Sequence, residues 1–281
     1  MRHSLRLVTL LMLVALLGGC GVKTVYNNAD WLVMRWVEDR VDLTAEQDKM
    51  LRASLDEHLA WHCASELPAY AAFLRQVDRD VVAGRIDEET LERYQTQVTD
   101  FGRRLLAHIR PTVIDLLASL DDEQVTRLLD SFEERNRELR EEAESYAEAS
   151  AVEARAENME KGMRRFSGRL TDTQRARLRQ WAGALDPTAE MALQQRLRWQ
   201  AEFAGALRMR HEPRRFEAAI AALLEPGRFT NEALERRRET NRDRTIETIA
   251  AIHGIAPERQ IDRLRDNLAD FSRDLEQLSC S

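Results

Sequence analysis

Ile261-Asp262-Arg263-Leu264-Arg265-Asp266-Asn267-Leu268-Ala269-Asp270-Phe271-Ser272-Arg273-Asp274-Leu275-Glu276-Gln277-Leu278 is the stretch that decides the fold class. Its large apolar residues, Ile261, Leu264, Leu268, Phe271, Leu275 and Leu278, alternate three- and four-residue steps without a break. That period belongs to an amphipathic helix with a narrow apolar seam. Pro257 stands just ahead, where a first helical turn tolerates a residue without an N–H. Upstream, Phe216, Ile220, Leu223 and Leu224 make a shorter face that stops at Pro226-Gly227. No convincing run alternates apolar and polar residues, and glycine and proline are scarce, at 11 and 6 residues. The chain reads as all-α.

Helix starts recur in one form. Leu43-Thr44-Ala45-Glu46-Gln47 and Leu170-Thr171-Asp172-Thr173-Gln174 share Leu-Thr-x-x-Gln, and Leu120-Asp121-Asp122-Glu123-Gln124 is a variant. In each, Thr44, Asp121 or Thr171 is placed to cap free backbone amides, while Gln47, Gln124 or Gln174 reaches back. The spacing predicts about eight helices in an elongated bundle, over segments near 28–41, 44–82 (interrupted around Pro68), 87–118, 121–168, 171–183, 186–210, 213–225, 230–253 and 257–279. Pro111 is expected to kink or break its helix. Segment 121–168 reads as one long charged helix. Val125, Phe132, Leu139 and Tyr146 recur every seven residues and give it a thin seam suited to antiparallel packing or a coiled-coil arm.

The N-terminus sets the compartment. Arg2 and Arg6 precede a leucine-rich run that closes at Leu17-Gly18-Gly19-Cys20. A basic start, a short apolar run and small residues before a cysteine describe a signal peptide over 1–19. Its cut leaves Cys20 to carry a diacylglycerol and an N-acyl chain, and no other cofactor is expected. The run is too short to span a bilayer, which needs about 20 residues. Gly21 follows the cysteine where an aspartate commonly retains such proteins at the inner membrane, so the periplasmic face of the outer membrane is expected. Residues 20–27 then form a tether and 28–281 a single helical periplasmic domain.

The full chain carries a net charge of −7, and loss of Arg2 and Arg6 makes it −9. An acidic body does not suit nucleic acid, which needs a basic surface. With Cys20 acylated, Cys63 and Cys280 remain in an oxidising compartment that permits a disulfide. Such a bridge would close a very long loop, for which the chain-entropy argument gives about 5 kcal/mol. The alternative is one buried thiol near Trp61 and one loose thiol at the tail.

Candidate chemistry is sparse. His58 and His62, four apart on one helix face beside Asp56, Glu57 and Cys63, form the one cluster with metal-ligand character. They lack the His-Glu-x-x-His pattern of metalloproteases. There is no phosphate-binding glycine loop and no Cys-x-x-Cys, and no residue stands out as a nucleophile, so no enzyme is expected. Arg236, Arg237, Arg238, Arg242 and Arg244 are interleaved with Glu232, Glu235, Glu239, Asp243 and Glu247, and read as a self-compensating solvated face. From Asn27 to Val41, tryptophans and aliphatics cover most of a helix, leaving Arg35, Glu38, Asp39 and Asp42 as a polar strip. So broad an apolar face means burial in a core or contact with the membrane interface, where tryptophan is favoured. Core burial is expected, because the acidic strip would be repelled by anionic headgroups.

Tyr26-Asn27-Asn28-Ala29-Asp30-Trp31-Leu32, with Val41-Asp42-Leu43, Trp61-His62 and Glu66-Leu67-Pro68-x-Tyr70, resembles a family of uncharacterised proteobacterial lipoproteins. The resemblance implies an all-helical, anchored protein and brings no activity. The Leu-Thr-x-x-Gln starts are also similar to those of the shorter Spy/CpxP periplasmic chaperones. The expected function is therefore that of a lipid-anchored interaction or scaffold module with an envelope protein partner, possessing chaperone-like action as a variant. The alternative is a metal-binding or metal-sensing lipoprotein using His58 and His62.

Overall fold

The computed structural model describes residues 23–145, 148–225, 227–229 and 231–278. The expected signal peptide, Cys20 and Cys280 lie outside the described residues. Among those described there is no strand, and eleven α-helices follow one another. They are α1 (Ala29–Val41), α2 (Ala45–Trp61), α3 (Leu67–Val82), α4 (Glu88–Ala118), α5 (Asp122–Ser145) and α6 (Glu148–Ser167), then α7 (Asp172–Ala184), α8 (Ala189–Leu207), α9 (Pro213–Leu223), α10 (Glu232–Gly254) and α11 (Glu258–Glu276). A π-helical turn, His62–Glu66, joins α2 to α3.

The count of about eight is thus too low. The stretch 44–82 is split by the π turn ahead of Pro68. Segment 121–168 holds α5 and α6, with residues 146–147 outside the described set. The two halves of that segment pack in different places. Val125, Leu128, Leu129 and Phe132 of α5 pack with Met34, Leu51, Phe203 and Leu207. Val152, Ala156, Met159 and Met163 of α6 pack with Leu178, Trp181 and Ile252. The described part of the seam is a half-buried face, and its two halves take different partners.

Helix α4 runs unbroken through Pro111, where a kink or a break was the expectation. Pro111 deprives the Ala107 carbonyl of its helical donor, but α2 braces both flanks. Trp61 stacks on the His108 ring at 3.7 Å, and His58 Nε2 lies 2.8 Å from Thr112 Oγ1. Helix α1 also departs from expectation. Met34, Val37 and Val41 are buried against α2 and α5, whereas Trp31, Leu32 and Trp36 face outward. Its apolar surface is wider than the single face its neighbours cover.

The helix starts organise the architecture in pairs. Thr44 Oγ1 accepts from Gln47 N at 3.3 Å, and Gln47 Oε1 accepts from Thr44 N at 2.9 Å. The same reciprocal cap joins Asp121 to Gln124 and Thr171 to Gln174. Each capping glutamine then meets another. Gln47 Nε2 donates to Gln124 Oε1 at 3.0 Å, and Gln124 Nε2 donates to Gln47 Oε1 at 2.7 Å. Their second N–H groups go to the carbonyls of Ser119 and Asp42. In the other half of the chain Gln174 pairs with Gln260 at 2.8 and 3.0 Å, and their remaining N–H groups reach Ile252 and Arg169 carbonyls. All four glutamines are buried. The start of α2 is locked to the start of α5, and the start of α7 to that of α11.

A third tie closes the molecule. Helix α11 lies along α3, with Ala71 fully buried and Ser272 Oγ donating to the Ala71 carbonyl at 3.2 Å. Small residues at that crossing let the two backbones approach closely. Arg265–Asp78 and Arg75–Glu276 flank it as ion pairs.

The glutamine pairs make a measurable demand. Gln47→Ala leaves the amide of Gln124 buried without its partner, and should cost about 2–3 kcal/mol in urea denaturation. A double-mutant cycle with Gln124→Ala should return a coupling of about 1–2 kcal/mol. Additive losses would show that the two amides act independently.

Candidate functional site

Chemically distinctive side chains gather around the π turn. Its cause is local: Pro68 has no N–H to give the Ala64 carbonyl, and its ring would press on that carbonyl in a regular helix. One extra residue in the turn relieves this, and the Leu67 N–H bonds to the His62 carbonyl instead. Turns of this kind concentrate at functional positions. His58 and His62 stay one regular helical turn apart, with the His62 N–H on the His58 carbonyl, but their side chains take different partners.

The two histidines therefore have separate surroundings. His58 bonds Thr112 and meets the His108 ring edge-on at 5.0 Å. His62 Nδ1 shares a hydrogen bond with the Tyr26 hydroxyl at 3.2 Å, and its ring lies between Tyr26 and Tyr70. They do not converge on one point. Among the described residues no group of three or more His, Cys, Asp or Glu is arranged to hold a metal ion.

Glu66, at the end of the turn, is buried and accepts two bonds from Arg104, from Nε at 2.9 Å and Nη2 at 2.8 Å. A bidentate pair of this geometry offsets the desolvation of the carboxylate. Tyr70 lies beside Glu66, and burial pushes its hydroxyl well above the usual tyrosine range. Burial also raises Tyr26 to about 12 and lowers His62 to about 4, with Glu66 pulling the histidine weakly the other way. Burial, then the His108 ring, lowers His58. Of these groups, Tyr26, Tyr70 and His62 do not titrate near neutral pH.

What this cluster does is hold the start of the described chain. Lys23 Nζ donates to Gln277 Oε1 at 2.8 Å and pairs with Asp274 at 3.3 Å. Tyr26 follows one turn later and packs with Leu67, Ala71 and Leu278. Cys63, also buried there, is disulfide-bonded, and its Sγ lies 3.8 Å from the Leu278 carbonyl oxygen. The residues just after Cys20, the π turn and the end of α11 thus share one joint.

The other candidates are placed as follows. Thr44, Gln47, Asp121, Gln124, Thr171 and Gln174 form the caps and pairs described above. Three of the five clustered arginines bind the end of α7, the α7–α8 connection and α8: Arg244 reaches the Ala184 carbonyl, Arg237 the Pro187 carbonyl and Arg238 the Gln195 amide oxygen. Arg236 and Arg242 make the surface pairs expected of a compensated face. Sequence reasoning overlooked Gln260, although its signal was present. Ala256-Pro257-Glu258-Arg259-Gln260 keeps the glutamine three residues after the N-cap position, with proline in place of threonine.

The site is a structural joint on an all-helical body. The chain belongs to DUF6279, a family of unknown function, whose profile matches residues 39–232. That span takes in the π turn and three of the four paired glutamines, but not Tyr26. No curated protein and no solved structure matches the chain.

Two outcomes test the joint. Arg104→Met strands a buried carboxylate and should cost about 2–3 kcal/mol, less than a fully buried pair because the guanidinium is partly exposed. Adding Glu66→Gln should recover most of that loss in the same thermal melt. His62 sets a pH dependence: its folded pKa lies below its unfolded value, so the unfolded chain takes up the proton first. Stability should be full above pH about 6.5 and fall by about 3 kcal/mol toward pH about 4, then level off. His62→Phe should flatten that window; an unchanged slope would assign it to other groups.

Proposed function

We propose that this chain is a lipid-anchored periplasmic protein of the outer membrane that works as an interaction or scaffold module, not as a catalyst. The observation that carries the reading is the docking of Lys23 and Tyr26 onto Asp274, Gln277 and His62. An acylated Cys20 three residues upstream would then hang from a fixed point on a folded body, not from a loose linker. Such an attachment passes the position of the membrane to the whole body, which suits an elongated scaffold. No described helix is long and apolar enough to cross a membrane, so the reading relies on the acyl chains. The surfaces offered to a protein partner are the charged outer faces of α5 and α10, where Glu133, Glu134, Arg236 and Glu239 are exposed.

The second half of the joint belongs to the same reading: Cys63 pairs with Cys280. Leu278, two residues before Cys280, already has its carbonyl against the Cys63 sulfur. The bridge would tie the tail of α11 to the tether.

One preparation from envelope membranes tests both. Mass analysis of the N-terminal peptide should find Cys20 acylated, and Cys20→Ala should move the protein from the membrane to the soluble fraction. Non-reducing peptide mapping should recover a Cys63–Cys280 peptide. An unmodified Cys20, or membrane retention of the alanine variant, would remove the anchor; two free thiols would remove the bridge.

A further inference from the structure

Helix α1 leaves Trp31, Leu32 and Trp36, on either side of the Arg35–Asp39 ion pair, uncovered by any other described element. Trp31, Leu32 and Trp36 are 57%, 38% and 42% exposed, while Met34, Val37 and Val41 on the other side are buried. Two exposed tryptophans and a leucine on one short helix call for an occupant, and the position of that helix selects it. Lys23, the first described residue, is three residues after Cys20. At about 3.3–3.6 Å per residue, an acylated cysteine stands within about 11 Å of Lys23. Trp31 follows only eight residues later. Lys23 is held on the body by Asp274 and Gln277, so α1 cannot drift away from the anchored end.

The sequence objection to a membrane contact was the acidic strip of α1, and the geometry removes it. Asp39 is paired with Arg35 at 3.0 Å. Glu38 turns away to accept the Leu43 N–H at 3.1 Å, and Asp42 is paired with Arg127 at 3.1 Å. The Arg40 guanidinium lies 4.4 Å above the Trp36 ring and donates to the Trp36 carbonyl. An indole with a cation over it suits the boundary between acyl chains and phosphates, where tryptophan is enriched and arginine reaches the headgroups.

We infer that the Trp31–Leu32–Trp36 face of α1 lies in the headgroup region of the bilayer that receives the Cys20 acyl chains. This rests on the lipid-anchor reading and extends it: the body is seated on the membrane along α1, with a fixed orientation, and does not sway on its tether. The side of the molecule opposite α1 then faces the periplasm.

The test uses the full mature protein in phosphatidylethanolamine–phosphatidylglycerol vesicles, with or without lipids brominated near the carbonyl end of their acyl chains. Two of the five tryptophans lie on this face, so bromine should quench roughly two-fifths of the emission. Trp31→Phe/Trp36→Phe should lose nearly all of that quenching, and Trp31→Phe alone about half of it. Circular dichroism checks that the variants keep their helix content, as expected for exposed positions. The acylation state of Cys20 is read by mass on the same samples. Acylated protein with unquenched tryptophans would overturn the seating while leaving the anchor intact. Quenching that persists in the double variant would place the lipid contact elsewhere and overturn it too. Unquenched tryptophans joined by a crosslink across α1 would give the face to a second copy. An unmodified Cys20 would take both readings away.

Discussion

The structure depends on glutamine amides that satisfy one another. A helix N-terminus leaves backbone N–H groups without partners, and burying one is costly unless a side chain meets it. Here Gln47, Gln124 and Gln174 each cap their own helix with Oε1, then spend the rest of the amide on a second helix start and a nearby carbonyl. Because an amide offers two donors and two acceptor lone pairs, a reciprocal pair closes without an orphan. Two helix starts are thereby held in one relative position. An apolar pair at the same place would pack, but it would leave the capped amides and the Asp42, Ser119, Arg169 and Ile252 carbonyls unmet. The arrangement occurs twice, over α2 with α5 and over α7 with α11, so the two halves of the chain repeat one construction rule.

Between these fixed points, other buried polar groups set register. Asn136 of α5 donates to Gln200 and accepts from Arg196, both on α8. Arg210 donates to the Leu120 and Leu207 carbonyls, tying the end of α8 to the start of α5. Asp80 is held near a pKa of about 2 by bonds from Gln76 and Tyr94, then Arg85, and closes the α3–α4 turn. Each is satisfied by groups distant in sequence or across a turn. Such contacts favour one packing over its neighbours, since a shifted helix would leave them unpaired.

The π turn connects this framework to the membrane end. Pro68 forces an irregularity, and the irregularity presents His62, Cys63 and Glu66 to three different neighbours. His62 receives Tyr26, Cys63 meets the end of α11, and Glu66 meets Arg104. His58 and His62 are one regular helical turn apart, which is why their spacing suggested a metal pair. Their side chains are engaged separately instead, His58 by Thr112 and His62 by Tyr26.

The all-helical class, the three capping boxes and the break near Pro68 were legible from residue pattern alone, because each rests on contacts within a few positions of the chain. The partnering of Gln47 with Gln124, the resistance of α4 to Pro111, and the division of α5 and α6 between two cores were not, because they depend on residues dozens of positions away. Gln260 was obscured by proline, which stands where its three counterparts have a capping threonine or aspartate. Local sequence determined which residues form helices and where those helices begin: period and caps act over one or two turns. Tertiary structure alone decided which starts pair, which side of α1 is left bare, and that the last helix clamps α3 beside the tether. Those outcomes require distant side chains to meet, and no local pattern specifies that meeting.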